Sequence, residues 1–178
     1  NSMLLSYKWL KEFVPLKISS EKLREAITLH IAEVESAQKI VPRDTIFEIE
    51  NKSLTHRPDL FSHFGMAREL ATIFNASLRP IKSAKKLQIF SKRSSLPFSV
   101  KIENTKDTPR FMSVVAEGVR IGSSPKWMQK KLLACGVPPI NNIVDITNYI
   151  TLELGQPTHA FDYNTLKGKK LYIRRAKK

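Results

Sequence analysis

A cluster of ionisable side chains lies in the stretch NKSLTHRPDLFSHFGMAREL, residues 51–70. His56, Arg57 and Asp59 surround a proline, and His63 follows about one helical turn later. Imidazole and carboxylate groups at this spacing can transfer protons or bind a metal ion. They can equally serve to begin a helix, since a carboxylate after a proline can accept hydrogen bonds from free helix-start amides. The sequence leaves both interpretations open.

A metal site is one chemical alternative, with His159 and Asp162 as further ligands. None of the local zinc spacings such as HExxH occurs, and we predict no metal ion in this chain. The sequence contains no GxSxG motif, which would indicate a serine nucleophile. The single thiol, Cys135, is flanked by apolar residues, as is typical of a buried structural cysteine. The residues alone therefore indicate no complete catalytic constellation.

Glu153 is an unusual carboxylate, because it lies between Leu152 and Leu154 at the end of an apolar predicted helix. Burial there would require a partner or a ligand to offset desolvation. The alternative is that Glu153 simply faces solvent. The following loop, GQPTHAFD, places His159 just beyond the same helix.

The composition indicates the class of partner. Thirty basic residues against 16 acidic ones give a net charge of +14, which favours a polyanion such as RNA, although lysine-rich surfaces also serve solubility. One cysteine excludes an intramolecular disulfide and suits a reducing compartment. No apolar run approaches the roughly 20 residues of a membrane span. We expect a cytoplasmic protein with no membrane partner.

Periodicity predicts an α+β fold with a small N-terminal helical/β unit followed by a mixed α/β domain. Ser6 and Ser19 or Ser20 are predicted helix caps, and His30 is placed on the inner stripe of the second helix. Strands are predicted around residues 34–41 and 44–50. Asp59 is expected at the start of the helix that ends near Asn75.

The second half of the chain continues the mixed pattern. Residues 82–95 carry a charge run and are predicted as a solvated loop, with an RNA-facing role as the alternative. Residues 97–104 alternate as a strand, and residues 110–122 are predicted as a longer, mostly buried strand. Ser124 is a predicted cap with Pro125 at the first helical position, and Gly136 is the expected stop. A further helix spans residues 141–155, and KLYIRRA forms a final strand.

Three stretches resemble one family in its own order. PINNIVDITNYITLELGQPTHAFD, residues 139–162, is similar to the signature region of the bacterial-type phenylalanyl-tRNA synthetase beta subunit. FEIENKSLTHRPDLFSHFGMARELA looks like the beginning of that subunit's editing domain, and MLLSYKWLKEFVPLKISSEKLREAITLHIAEVES looks like its N-terminal domain. The resemblance implies an N-terminal domain at residues 3–41 and a C-terminally incomplete editing domain at residues 42–178. The oligonucleotide-binding OB-type module that usually separates them is missing.

The resemblance also implies a function and a set of site residues. The family charges tRNA(Phe) with phenylalanine and hydrolyses mischarged Tyr-tRNA(Phe). Glu153 matches the position that recognises the tyrosine hydroxyl, and Gly136 and Ala176 match small residues of the same pocket. His56, Arg57 and Asp59 fall near that pocket, as structural supports or as contacts to the tRNA end. No catalytic residue is certain, with His159 a candidate for orienting water or the tRNA end.

The implied partners are tRNA(Phe) and an alpha subunit, in a heterotetramer of two alpha and two beta subunits. ATP and Mg²⁺ are expected at the alpha subunit, and no cofactor is expected in this chain. The alternative function is a non-catalytic scaffold or RNA-binding fragment with an incomplete editing pocket.

Overall fold

The computed structural model describes residues 2–40, 44–81 and 96–176. Helices and two small sheets make up these residues, which confirms the predicted α+β class. The chain divides into two compact units, one from residues 1–83 and 121–159 and the other from residues 84–120 and 160–178. Throughout the described part, every helix is too short or too polar to cross a bilayer. The domain boundary between residues 41 and 42 stays a prediction.

The first unit contains an antiparallel sheet of three strands, β1 (Ser2–Ser6), β2 (Val34–Ile40) and β3 (Asp44–Glu50). Strand β3 is central, between β1 and β2. Leu5 of β1 is the register partner of Phe47 of β3, and both side chains are fully buried. The two N-terminal strand predictions are confirmed.

Among the described residues, five α-helices belong to the same unit. They are α1 (Tyr7–Phe13), α2 (Ser20–His30), α3 (His63–Ile73), α4 (Lys126–Ala134) and α5 (Asn142–Leu154). Ser6 and Ser19 cap the first two helices, as predicted, because their side chains accept hydrogen bonds from the amides of Trp9 and Lys22. His30 is exposed, so its predicted inward position is wrong. It stands in the last turn of α2, where a basic side chain suits the helix dipole.

The start of α3 differs from the prediction. Ser62, not Asp59, is the cap, and its hydroxyl accepts from the amide of Gly65 at 3.0 Å. Asp59 lies in a preceding 3₁₀ turn, Pro58–Phe61, and its carboxylate is engaged by arginines. A Cβ on Gly65 would lie 1.8 Å from the carbonyl oxygen of Asp59, so this close approach of turn and helix requires glycine.

The start of α4 also differs. Pro125 is the residue preceding the helix, and Ser124 does not cap it. The Ser124 hydroxyl instead donates to the carboxylate of Asp145, a side chain only 1% exposed. Asp145 also accepts from the amide of Ile140 at 2.8 Å. A buried carboxylate requires such donors, and this requirement outweighed the local capping signal.

The second unit contains two parallel strands, β4 (Ser99–Ile102) and β5 (Lys170–Ile173). Val100 is the register partner of Leu171, and inward-facing residues alternate with exposed ones in both strands. Two 3₁₀ turns, Tyr163–Thr165 and Lys167–Lys169, precede β5. Both strand predictions are confirmed, although each strand is short.

The predicted buried strand at residues 110–122 is wrong. The segment has no regular secondary structure, and Met112 and Val114 are 75% and 92% exposed. Apolar alternation predicts a strand only where a neighbour supplies ladder hydrogen bonds, and none of the described strands runs beside this segment. The predicted loop at residues 82–95 lies outside the described residues.

Candidate functional site

The imidazole of His63 is buried between two elements of the first unit. Its Nε2 atom accepts from the amide of Ser6 at 3.0 Å, so Nδ1 carries the proton and donates to the carbonyl of Leu152 at 2.8 Å. Burial lowers the pKa of His63 from 6.5 to about 4, and the nearby charge of Lys131 acts in the same direction. His63 is therefore a neutral structural group, as a histidine packed on its helix should be.

A stack of rings extends from His63. Trp9 lies against its imidazole with centroids 4.0 Å apart, and Tyr149 stacks on Trp9 with centroids 5.0 Å apart. Trp127 meets Tyr149 edge-on at 5.3 Å. These rings come from α3, α1, α5 and α4, so four helices contribute to one aromatic cluster. The indole nitrogen of Trp9 is buried, and none of the described residues bonds it.

Lys131 places a positive charge on this cluster. Its Nζ atom lies 4.6 Å from the ring centroid of Trp9, 5.5 Å from that of Tyr149 and 5.8 Å from that of Trp127. It also pairs with Glu12 at 2.7 Å. An ammonium group over aromatic faces is attracted by the ring quadrupoles, which helps to hold α4 against α1 and α5.

Glu153 is joined to this cluster through Tyr149. The phenol hydroxyl of Tyr149 donates to Oε1 of Glu153 at 2.5 Å, one helical turn away. Burial raises the pKa of Tyr149, and the adjacent carboxylate raises it further, so the phenol keeps its proton. The half-buried Glu153 thus has a hydroxyl partner on its own helix.

The charged cluster in residues 51–70 is a network of ion pairs. Arg57 binds Asp59 through two hydrogen bonds of 3.0 Å and also reaches Glu69 at 2.9 Å, while Arg68 reaches Asp59 at 2.8 Å. The guanidinium of Arg57 lowers the pKa of Asp59 from 3.8 to about 2, and hydrogen bonds to Asp59 and Glu69 raise the pKa of Arg57. These charges neutralise one another locally.

The remaining predicted site residues are exposed. His56 and His159 lie at the surface of the first unit, and Ala176 is an exposed residue of the second. Gly136 has φ +73°, and a Cβ there would lie 3.1 Å from a methyl carbon of Leu4. The structure thus joins Arg57 to Asp59 directly, while Glu153 is bonded to a residue that the sequence did not single out. The functional roles stay predictions.

Cys135 is a further potentially reactive group near the stack. Its sulfur lies 3.9 Å from Nε2 of His63, but that nitrogen already accepts from Ser6. Burial raises the pKa of the Cys135 thiol from 9.0 to about 12, so a thiolate is strongly disfavoured. Among the described residues, no group of three or more His, Cys, Asp or Glu side chains is placed to hold a metal ion.

A wide, open depression of about 360 Å³ lies elsewhere on the first unit. Tyr7, Lys11, Lys39 and Asp44 are among the residues lining it. None of the predicted site residues is among those lining it. The better candidate site is therefore the end of α5, where Glu153 and Tyr149 are held.

Sequence reasoning missed Tyr149 and the ring stack behind it. The signal for the hydrogen bond was present, because residues four apart face each other on a helix and Tyr149 precedes Glu153 by four. The stack joins Trp9 of α1 to Tyr149, more than 100 positions later in the chain, and no local sequence pattern predicts such a contact.

Much of this chain is similar in sequence to known proteins. A family model described as the B3/4 domain matches residues 107–178. A phenylalanine–tRNA ligase beta subunit from Solibacter usitatus is 46% identical over 135 residues, covering 75% of this chain and 17% of the relative. That from Shouchella clausii is 42% identical over 138 residues, covering 74% and 17%, and that from Rhodopirellula baltica is 33% identical over 177 residues, covering 98% and 25%.

These matches confirm the resemblance stated from the sequence. The chain spans about a sixth to a quarter of the length of these curated relatives. The similarity covers the N-terminal helices as well as the second half of the chain in the relative from Rhodopirellula baltica, since that alignment includes 98% of the residues.

Proposed function

This chain is homologous to a part of the phenylalanine–tRNA ligase beta subunit, and we propose that it contributes to hydrolytic editing of Tyr-tRNA(Phe) within such a subunit. The observation that carries the proposal is the half-buried carboxylate of Glu153, which accepts a hydrogen bond from a phenol hydroxyl at 2.5 Å. Tyrosine differs from phenylalanine only by such a hydroxyl. Glu153 would select the wrong amino acid for removal.

A separate editing site is needed because the site that binds phenylalanine for charging has limited specificity. A pocket that accepts a phenyl ring cannot strongly reject the same ring carrying one hydroxyl group. A site built to bind the hydroxyl discriminates far better, because phenylalanine leaves its polar group without a partner. A carboxylate has capacity for about four hydrogen bonds, so Glu153 can bind a ligand hydroxyl while it retains Tyr149.

The proposed reaction is hydrolysis of the ester that joins tyrosine to the terminal ribose. A water molecule attacks the ester carbonyl, the bond to the ribose oxygen breaks, and that oxygen takes a proton. Positioning of the water and polarisation of the carbonyl can supply the catalysis, with the neighbouring ribose hydroxyl assisting. His159 is the candidate for orienting water or the tRNA end, and Gly136 and Ala176 keep the roles of small residues that the family resemblance implies.

The charged cluster in residues 51–70 has a supporting role at this site. Arg57 bonds Asp59 and Glu69, and Asp59 also accepts from Arg68, so both lie within the ion-pair network, which favours a supporting role for them. His56 is exposed and is the member of the cluster available to contact the tRNA end. The partners proposed for the whole assembly are tRNA(Phe) and an alpha subunit that binds ATP and Mg²⁺, in the cytoplasm.

A second candidate function is a non-catalytic scaffold or RNA-binding part of the same subunit. The exposure of Gly136, His159 and Ala176 favours it, because an editing pocket would enclose its substrate. The net charge of +14 also suits an RNA partner. Co-purification with an alpha subunit, or salt-sensitive binding to many RNAs without esterase activity, would support this function.

The test is deacylation of Tyr-tRNA(Phe) by this chain, with Phe-tRNA(Phe) as the control substrate. We expect selective release of tyrosine and loss of that selectivity in Glu153→Gln. Glu25→Gln is the matched control, since Glu25 is an exposed helical carboxylate of α2. Unchanged relative rates for the two esters in Glu153→Gln would disprove the recognition role, and absence of any release would favour the scaffold.

A further inference from the structure

We propose that Tyr149 is a positioning residue that holds the carboxylate of Glu153 in the orientation needed to accept a tyrosyl hydroxyl. The inference rests on the proposed function and adds to it the group that sets specificity through Glu153. Its basis is the hydrogen bond of 2.5 Å between the Tyr149 hydroxyl and Oε1 of Glu153.

The ring of Tyr149 has little freedom to move. Trp9 lies flat against one face, with planes inclined by 19°, and Trp127 packs edge-on at 86°. Trp9 is itself stacked on His63, with planes inclined by 22°. The hydroxyl of Tyr149 is therefore fixed by packing that does not involve Glu153, which makes it a rigid reference point for the carboxylate.

The backbone beneath Glu153 is held independently. The carbonyl of Leu152 accepts from Nδ1 of His63, and Gly155 closes the helix at φ +73°. A Cβ on Gly155 would lie 3.3 Å from Cβ of Ser62, so the helix end packs closely against the start of α3. With the backbone fixed, the remaining freedom of Glu153 lies in its own side-chain torsions, and Tyr149 restricts those.

The hydrogen bond also offsets desolvation. Glu153 is half-buried in the last turn of α5, and the described structure gives its carboxylate one hydrogen bond, from Tyr149. Without that donor the carboxylate gains more by turning towards water than by staying in place. A carboxylate that must return to its binding orientation each time a substrate binds will bind the ligand hydroxyl more weakly, because ordering the side chain costs entropy.

Tyr149→Phe tests the proposal, since it removes the hydroxyl and keeps the ring. In the full chain we expect kcat/KM for Tyr-tRNA(Phe) to fall about tenfold, as for loss of one hydrogen bond to a charged group. The fall should appear mainly in KM, and Phe-tRNA(Phe) should be unaffected. Tyr163→Phe is the matched control, because its hydroxyl binds the carbonyl of Pro97 in the other unit.

A double-mutant cycle separates positioning from general packing. We expect Tyr149→Phe to have no further effect on selectivity in the Glu153→Gln background, because the hydroxyl acts through that carboxylate. Binding of a non-hydrolysable amide analogue of tyrosyl-adenosine, compared with the phenylalanyl analogue, gives the same comparison without turnover. Near-UV circular dichroism should show the tryptophan stack intact in Tyr149→Phe.

The outcomes distinguish the two proposals. Loss of selectivity in Glu153→Gln with none in Tyr149→Phe overturns the positioning role and leaves the proposed function standing. Equal losses for both esters, or effects of the two substitutions that multiply, also overturn the positioning role. No preference for the tyrosyl ester or analogue by the unaltered chain overturns both proposals.

Discussion

Nδ1 of His63 donates a hydrogen bond of 2.8 Å to the carbonyl oxygen of Leu152, 89 residues further along the chain. The bond connects the start of α3 to the last turn of α5, immediately beside Glu153. Since Nε2 of the same ring accepts from Ser6, one imidazole ties together the N-terminal strand, α3 and α5. The motif at residues 51–70 thus supports the helix that carries the candidate specificity residue.

Replacing this imidazole should destabilise the fold. His63→Leu leaves the amide of Ser6 and the carbonyl of Leu152 buried without their partner, and we expect a loss of about 2–4 kcal/mol in the free energy of unfolding. Urea denaturation followed by circular dichroism measures it. The exposed His56→Ala should change stability by less than about 0.5 kcal/mol. A His63→Leu protein as stable as the parent would contradict the bridging role.

The depressed pKa of His63 predicts a specific dependence of stability on pH. Between pH 6.5 and about 4 the unfolded chain binds a proton at this histidine and the folded chain does not, so stability falls as pH falls through this window. The slope should approach about 1.4 kcal/mol per pH unit. Denaturation curves across this range measure it, with His63→Gln as the comparison, in which this contribution should vanish. Asp59 contributes separately at lower pH, between 3.8 and about 2.

Disrupting the ion-pair network should have a modest, salt-sensitive effect. Asp59→Asn removes the charge that Arg57 and Arg68 share, and we expect a loss of about 1 kcal/mol, because partial exposure screens these pairs. Thermal unfolding at low and high salt measures the change, which should shrink as salt is added. Glu25→Gln, at an exposed carboxylate of α2, is the control and should change stability by less than about 0.5 kcal/mol at either salt concentration. An effect of Asp59→Asn that is independent of salt would point to packing instead.

Cys135 should react slowly with alkylating reagents in the folded protein. Burial raises the pKa of this thiol from 9.0 to about 12, so the reactive thiolate is scarce at pH 8 in the folded protein. Mass spectrometry after iodoacetamide treatment at pH 8 should show little modification in buffer and rapid modification in denaturant. Equal rates in the two conditions would mean that the thiol is accessible in the native state.

Much of the local structure follows from the sequence by itself. The caps at Ser6 and Ser19, the position of β3 and the glycine that follows α4, Gly136, are signals within a few residues, and the structure places each where the pattern predicts. The family resemblance is also a property of the sequence, since it depends on the order of quoted stretches. The isolated polar position of Glu153 was likewise visible without coordinates.

Only the tertiary structure decided which partners the polar groups take. Asp59 and Ser124 carry good capping chemistry, but each is engaged by side chains from elsewhere, Arg57 and Arg68 in one case and Asp145 in the other. A buried charge without a partner is costly. Donating to a buried carboxylate such as Asp145 therefore stabilises the fold more than a local helix cap would. Similarly, residues 110–122 have the alternation of a strand, but strand formation depends on a neighbour that no local pattern specifies.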